Sequence, residues 1–210
     1  MQKEFWFDVW QNNELGFDQK AVNPLLVSHI KSLNLATGDT VFVPLCGKSI
    51  DMIWLLKQGY KVVGVELSEA AIEQFFATLE VKAEIWNDRS FKRYSAYNIE
   101  ILVGDYFQLS DDIVGPIDAI YDRASLVALP HDMRLAYCRH LMEVCDLAPQ
   151  LLITFDYDQG LQEGPPFSIS QNEVIQHYDA HYQVTLLDSV DVKGGLKGGC
   201  QADEQVWLLL

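Results

Sequence analysis

The chain has 210 residues, 49% of them hydrophobic, which is enough to bury one full core and predicts a single domain over 1–210. A formal net charge of -15 and a pI near 4.5 exclude nucleic acid and anionic membrane as expected partners, because either would repel the surface. No uninterrupted apolar run is long enough for a bilayer and no basic leader precedes an apolar segment, so neither export nor membrane spanning is expected. Cys46, Cys138, Cys145 and Cys200 lack metal or redox spacing, which predicts reduced thiols in the cytoplasm.

Residues 4–12 carry Phe5, Trp6, Val9 and Trp10 at helical spacing and predict an aromatic helix. A terminus that only packed would not spend so many aromatics, so residues 1–35 are expected to form a helical lid over a ligand cleft. A second helix is predicted over 23–35, with Asn23 as its cap and Pro24 at its first position. His29 lies in this helix and receives no role.

Residues 40–69 read as one βαβ unit. The β-branched run 40–45 suits a strand buried on both faces, Ser49 caps a helix running to Lys57, Gly59 ends it, and 61–65 form a second apolar strand finishing on Glu66. Right-handed crossover sets the strands side by side. A carboxylate in Glu66's position can accept both hydroxyls of a ribose diol; a solvated strand-end acid is the competing reading. A dinucleotide site would need Gly-x-Gly-x-x-Gly after the first strand, and a nucleoside triphosphate site would need a glycine five residues before Lys48, where Val43 stands. With no phosphate cradle, S-adenosyl-L-methionine is the expected nucleoside ligand. The Leu45 carbonyl and the Gly47 backbone would lie along its methionine part.

A helix over 68–80 covers the sheet, and 82–98 is a charged, irregular or hairpin insertion before a third strand at 99–103. Gly104-Asp105-Tyr106-Phe107 follows. The fourth strand, 117–121, ends in Asp122-Arg123 at the centre of the sheet, where an arginine fork can hold a carboxylate or an acceptor anion. A helix over 131–146, a fifth strand at 151–155, a rigid loop 164–168 with Phe167 as a pocket wall, a helix around 173–178 capped by Ser170, and strands at 182–190 and 205–210 complete the chain. The expected fold is a Rossmann-like α/β, seven-stranded doubly wound sheet with an N-terminal helical cover.

Val43-Pro-Leu-Cys-Gly-Lys-Ser, Val63-Val-Gly-Val-Glu-Leu-Ser-Glu, Gly104-Asp-Tyr-Phe, Asp122-Arg-Ala-Ser-Leu-Val-Ala-Leu-Pro and Gly164-Pro-Pro-Phe-Ser together resemble the bacterial thiopurine S-methyltransferases, in order along nearly the whole chain. The resemblance implies that Trp10 contacts the cofactor and that Gly16-Phe17 lines the substrate pocket, with Phe17 walling an aromatic acceptor. It also implies that Asp105 and the Tyr106 backbone meet the adenine edge and that Arg123 binds ligand. Two departures bear on the acceptor. Asp18 stands where the family commonly has His, and Lys193 and Lys197 stand in a linker where it commonly has arginines.

The expected reaction is in-line attack of an acceptor sulfur on the sulfonium methyl, with no protein nucleophile and no metal, the chain positioning the reactants and excluding water. The expected partner is a small-molecule thiol or a selenium or tellurium acceptor, met by a monomer. A catalytically silent S-adenosylmethionine-binding protein and a nicotinamide oxidoreductase are the rival readings.

Overall fold

A computed structural model describes residues 19–197 and 199–210. The expected roles of Trp10, Phe17 and Asp18 lie outside the described residues.

Among the described residues one nine-stranded sheet runs in the order β3 (Glu84–Asp88), β4 (Phe91–Ala96), β5 (Ile99–Val103), β2 (Lys61–Glu66), β1 (Thr40–Val43), β6 (Ala119–Arg123), β7 (Gln150–Asp156), β9 (Asp203–Leu209) and β8 (Val184–Asp191). Its parallel centre is β5 (Ile99–Val103), β2 (Lys61–Glu66), β1 (Thr40–Val43), β6 (Ala119–Arg123) and β7 (Gln150–Asp156). The antiparallel β9 (Asp203–Leu209) and β8 (Val184–Asp191) extend one side. Alternation along each strand feeds two cores. Val41 and Val43 of β1 point to α1 (Pro24–His29), α2 (Ile50–Lys57) and α3 (Glu69–Leu79). Phe42 points to α4 (Asp111–Val114), α5 (His131–Val144) and α6 (Gln171–Tyr178). Helices on both faces of a mostly parallel sheet make the doubly wound architecture expected.

The strand count is corrected from seven to nine. Residues 84–96, within the stretch expected as an irregular or hairpin insertion, form the hairpin β3 (Glu84–Asp88) and β4 (Phe91–Ala96), and it joins the sheet because β4 pairs antiparallel with β5. Phe91 and Tyr94 enter opposite cores, so β4 is gripped from both layers. Its charges are matched rather than solvated: Arg93 bonds Asp88, Glu100 and the Ile113 carbonyl, and Lys92 bonds Glu69.

Local signals held elsewhere. The Asn23 side chain accepts from the amides of Leu25 and Leu26, although the α-helix stops at His29 and a 3-10 turn finishes at Leu33, short of the expected Leu35. Ser49 caps α2, Ser68 caps α3 and Ser170 caps α6. Among the described residues no helix is long and apolar enough to cross a membrane. The four cysteines are free.

Candidate active site

Strand order reverses at β1, which lies between β2 and β6, and the crevice beyond the carboxyl ends at such a point is where open sheets take ligands. Glu66 ends β2 there and is 6% exposed. Its Oε2 accepts from the Gly47 amide at 2.9 Å and its Oε1 from the Ser68 amide at 2.8 Å. The carboxylate therefore ties the end of β2 to the turn after β1, and each oxygen keeps a second lone pair for a further donor. Burial raises its pKa, while the amide bonds from Ser68 and Gly47 pull it back down.

The turn itself is tightly made. Leu45 (φ 43) and Gly47 (φ 51) both sit in the left-handed region, a strained choice for Leu45, and the Cys46 amide between them donates to the Val65 carbonyl at 2.9 Å. Close approach of the two segments depends on Gly64: a Cβ there would stand 2.9 Å from the Cys46 sulfur. Burial pushes the Cys46 thiol up, and the charge of Glu66 adds to the shift. A buried carboxylate with spare lone pairs beside a turn too short for a phosphate cradle fits a nucleoside without a pyrophosphate.

Beyond β5, the Gly104 amide donates to the Glu66 carbonyl at 2.9 Å, so the Gly104-Asp105 loop sits against the end of β2. Asp105 caps a short 3-10 turn through the Phe107 amide. The Tyr106 ring is core: its hydroxyl donates to the Tyr137 carbonyl at 3.0 Å, its ring lies 4.9 Å from that of Tyr137, and His140 Nε2 meets its carbonyl at 3.0 Å. Its side chain is thus unavailable to a ligand.

On the other side of β1, Arg123 ends β6, and the next residue, Ala124, turns the chain with φ 64. Ser125 is pinned to β1 through its hydroxyl on the Pro44 carbonyl at 2.7 Å. Arg123 Nη1 donates to Asp51 Oδ2 at 3.1 Å, and Asp51 is 1% exposed. The same carboxylate accepts from the Tyr121 hydroxyl at 2.9 Å and the Asn23 amide at 2.9 Å. Asn23 Nδ2 continues the network to Glu204 Oε1 at 2.9 Å. Asp51, Asn23 and Glu204 were not among the residues singled out for a ligand. An acid set in an apolar helix beside the switch point is the signal that marks Asp51. Nothing local marks Asn23 or Glu204, whose contact is made only by folding.

A cavity of about 860 Å³ opens over the ends of β6 and β7 and the start of β9. Arg123, Ile153, Phe155, Pro165, Pro166 and Glu204 are among its walls, and Lys197 also lines it. The site residues thus fall into two groups. Leu45, Glu66, Asp105 and Tyr106 follow the ends of β1, β2 and β5, while Arg123 stands at the cavity. Phe167, expected as a pocket wall, is not among the cavity's lining residues: its ring lies 5.3 Å from the Arg134 guanidinium and packs under Gly164, leaving Pro165 and Pro166 as the wall. Of the two linker lysines, only Lys197 lines the cavity.

The chain is 49% identical over 209 residues to the thiopurine S-methyltransferase of Teredinibacter turnerae, covering 100% of this chain and 97% of that protein. It is 48% identical over 210 residues to the thiopurine S-methyltransferase of Xanthobacter autotrophicus, covering 100% and 99%. In fold it is similar to the Burkholderia thailandensis 1,6-didemethyltoxoflavin-N1-methyltransferase solved with S-adenosylhomocysteine (TM-score 0.66, 17% identity, 98% of this chain and 86% of that one). The family model described as thiopurine S-methyltransferase (TPMT) matches residues 1–209. Matched over its whole length to this family, the chain belongs to the thiopurine S-methyltransferase family and is an S-adenosylmethionine-dependent enzyme.

Proposed function

We propose that the chain methylates the sulfur of aromatic and heterocyclic thiols, thiopurines among them, with the acceptor in the cavity over β6 and β7. The observation that carries this reading is a largely apolar cavity holding Arg123 at the end of β6, with only β1 between that strand and the one that ends in the Glu66 carboxylate.

When bound, S-adenosylmethionine supplies a methyl on a sulfonium, an electrophile activated by its own charge. The chain's part is to bind and orient. Glu66 accepts the ribose hydroxyls on the lone pairs that Gly47 and Ser68 leave open. Asp105 and the Tyr106 backbone, held to β2 through Gly104, meet the adenine edge, and Leu45 lies along the methionine part. Arg123 spends Nη1 on Asp51 and turns its remaining donors to the ligands at the cavity. The apolar walls Ile153, Phe155, Pro165 and Pro166 exclude water and hold the acceptor ring at attack distance. Phe167 supports that wall from behind. The acceptor sulfur enters as the thiolate, its proton already given to solvent because heterocyclic thiols ionise near neutrality, and as it takes the methyl the methyl's bond to the sulfonium sulfur breaks, so no strong base is required.

The test is to incubate the purified chain with S-adenosylmethionine and mercaptopurine, thiophenol or an oxygen analogue such as phenol, and to follow S-adenosylhomocysteine and the methylated product. Turnover on the thiols and none on phenol is expected. Absence of turnover on every thiol, with the cofactor bound, overturns the reading.

A further inference from the structure

The cavity's charges are unevenly committed. Arg123 is neutralised from beneath by the buried carboxylate of Asp51, which is itself saturated by Tyr121 and Asn23. Glu204, at the far wall, is bonded through Oε1 to Asn23 Nδ2, and Oε2 has no partner among the described residues. Glu204 is in register with Phe155 of β7, and Arg123 with Ile153 of the same strand. Both strand residues line the cavity, so they form a floor with a guanidinium on one side and a carboxylate on the other. β6 and β9 flank β7, which puts their backbones roughly 10 Å apart.

Resting on the methyl-transfer reading above, we propose that Glu204 is a specificity-determining residue. Its open oxygen accepts a ring N–H of the acceptor, so the cavity selects neutral nitrogen heterocycles that carry such a donor and turns away thiols bearing a carboxylate. Asn23 fixes the carboxylate's orientation, and the Pro24 turn of α1 fixes Asn23. Burial raises the Glu204 carboxyl, while the hydrogen bond from Asn23 and the charge of Arg123 lower it. Specificity follows from the hydrogen bond gained with a matching N–H donor on this half-buried carboxylate and from its repulsion of a like charge. Lys197 lines the same cavity, but on the linker between β8 and β9 and on a flexible stem, so it is less able than Glu204 to fix an orientation.

The experiment compares wild type with Glu204→Gln on mercaptopurine, thiophenol and thiosalicylate, with kcat and KM resolved and cofactor binding followed by calorimetry. Glutamine retains a carbonyl for Asn23 and removes the charge. The expected result is a drop of about tenfold or more in the mercaptopurine-to-thiophenol ratio of kcat/KM, carried by KM, and a rise in the thiosalicylate-to-thiophenol ratio. Ratios unchanged in the variant overturn the role of Glu204 and leave the methyl-transfer reading intact. Cofactor binding by wild type with no transfer to any of the thiols overturns that reading instead. Should the variant bind cofactor poorly, Asn23→Ala, which frees the Glu204 carboxylate without removing it, is expected to blur the same ratios, and an unchanged ratio there also overturns the proposal.

Discussion

The guanidinium of Arg123 stands on the carboxylate of Asp51, Nη1 to Oδ2 at 3.1 Å, across 72 positions of sequence. Asp51 also holds the Tyr121 hydroxyl and the Asn23 amide, so one buried acid joins α1, α2 and β6 beneath the cavity. Replacing Asp51 by Ala strands a half-buried cation and a buried hydroxyl, and is expected to destabilise the fold by about 3–5 kcal/mol. Asp51→Asn keeps the shape and loses the charge, so it should lower turnover more than it lowers stability. Urea unfolding alongside methylation kinetics separates the two, and wild-type turnover in Asp51→Asn would show that Arg123 needs no anchor.

Glu66 is expected to carry cofactor affinity. Its removal takes away the ribose acceptor and leaves the amides of Gly47 and Ser68 without their partner. Glu66→Ala should weaken S-adenosylhomocysteine binding by about 30-fold or more, read by calorimetry. The pKa gives a second signature. Only the ionised carboxylate accepts from both hydroxyls, and burial has raised its pKa, so wild-type affinity should fall as pH drops through that raised value. A pH-independent affinity would remove Glu66 from the ribose.

Asp122 predicts a stability profile. It is fully buried with the Tyr137 hydroxyl on Oδ2 at 2.7 Å, and burial pushes its pKa up to about 6. A carboxyl raised in the folded state favours folding below the unfolded value of about 3.9, and that contribution is lost as pH rises through about 6. Asp122→Asn is neutral throughout, so between those values it should gain on wild type by at most about 3 kcal/mol. Unfolding midpoints at acid and neutral pH test this, and parallel profiles would contradict it.

Glu173 behaves in the opposite sense. Burial alone would raise its carboxyl, but hydrogen bonds from His177 and Arg134 overcome that and hold it down to about 2. Its contribution is present above the unfolded carboxylate value of about 4.3 and is lost as pH falls toward about 2. Arg134, 4% exposed, also binds the Leu129 carbonyl and covers the Phe167 ring. Glu173→Gln should therefore loosen the 164–168 loop and raise KM for the acceptor while the cofactor affinity stays in place. Equal losses for both ligands would indicate general unfolding.

Gly64→Ala would drive a methyl onto the Cys46 sulfur at 2.9 Å and should cost about 1–3 kcal/mol. Adding Cys46→Ala should return a good part of it, since the two changes share one contact. Additive losses in the double variant, measured by thermal unfolding, would place the strain elsewhere.

The βαβ unit was legible because each of its signals is local. An apolar run, a serine cap, a terminal glycine and a second apolar run lie within thirty or so residues, and all appear where the spacing put them. The β3–β4 hairpin was not legible as sheet. Phe91 and Tyr94 face opposite cores three positions apart, so the apolar residues do not recur at every second position on one face, and the partners that neutralise Arg93 and Lys92 come from other elements. The site divides the same way. Glu66 and Arg123 stand at strand ends visible from the pattern, whereas Asn23 and Glu204 meet across 181 positions and could be paired only by the folded sheet. Phe167 carried an aromatic signal, but the arginine that claims its ring lies on α5.

The hairpin changes what β5 is. Without β4 it would be a margin of the sheet, with one row of amides and carbonyls open to water. With it, Val103 is flanked by Lys92 on one side and Glu66 on the other, and the Gly104 amide is closed on the Glu66 carbonyl. The loop that carries Asp105 therefore leaves from an interior strand. The backbone protons of β5 should exchange with solvent as slowly as those of the central strands, so the end of the crevice proposed for the adenine is set before any ligand arrives and does not have to fold around its guest.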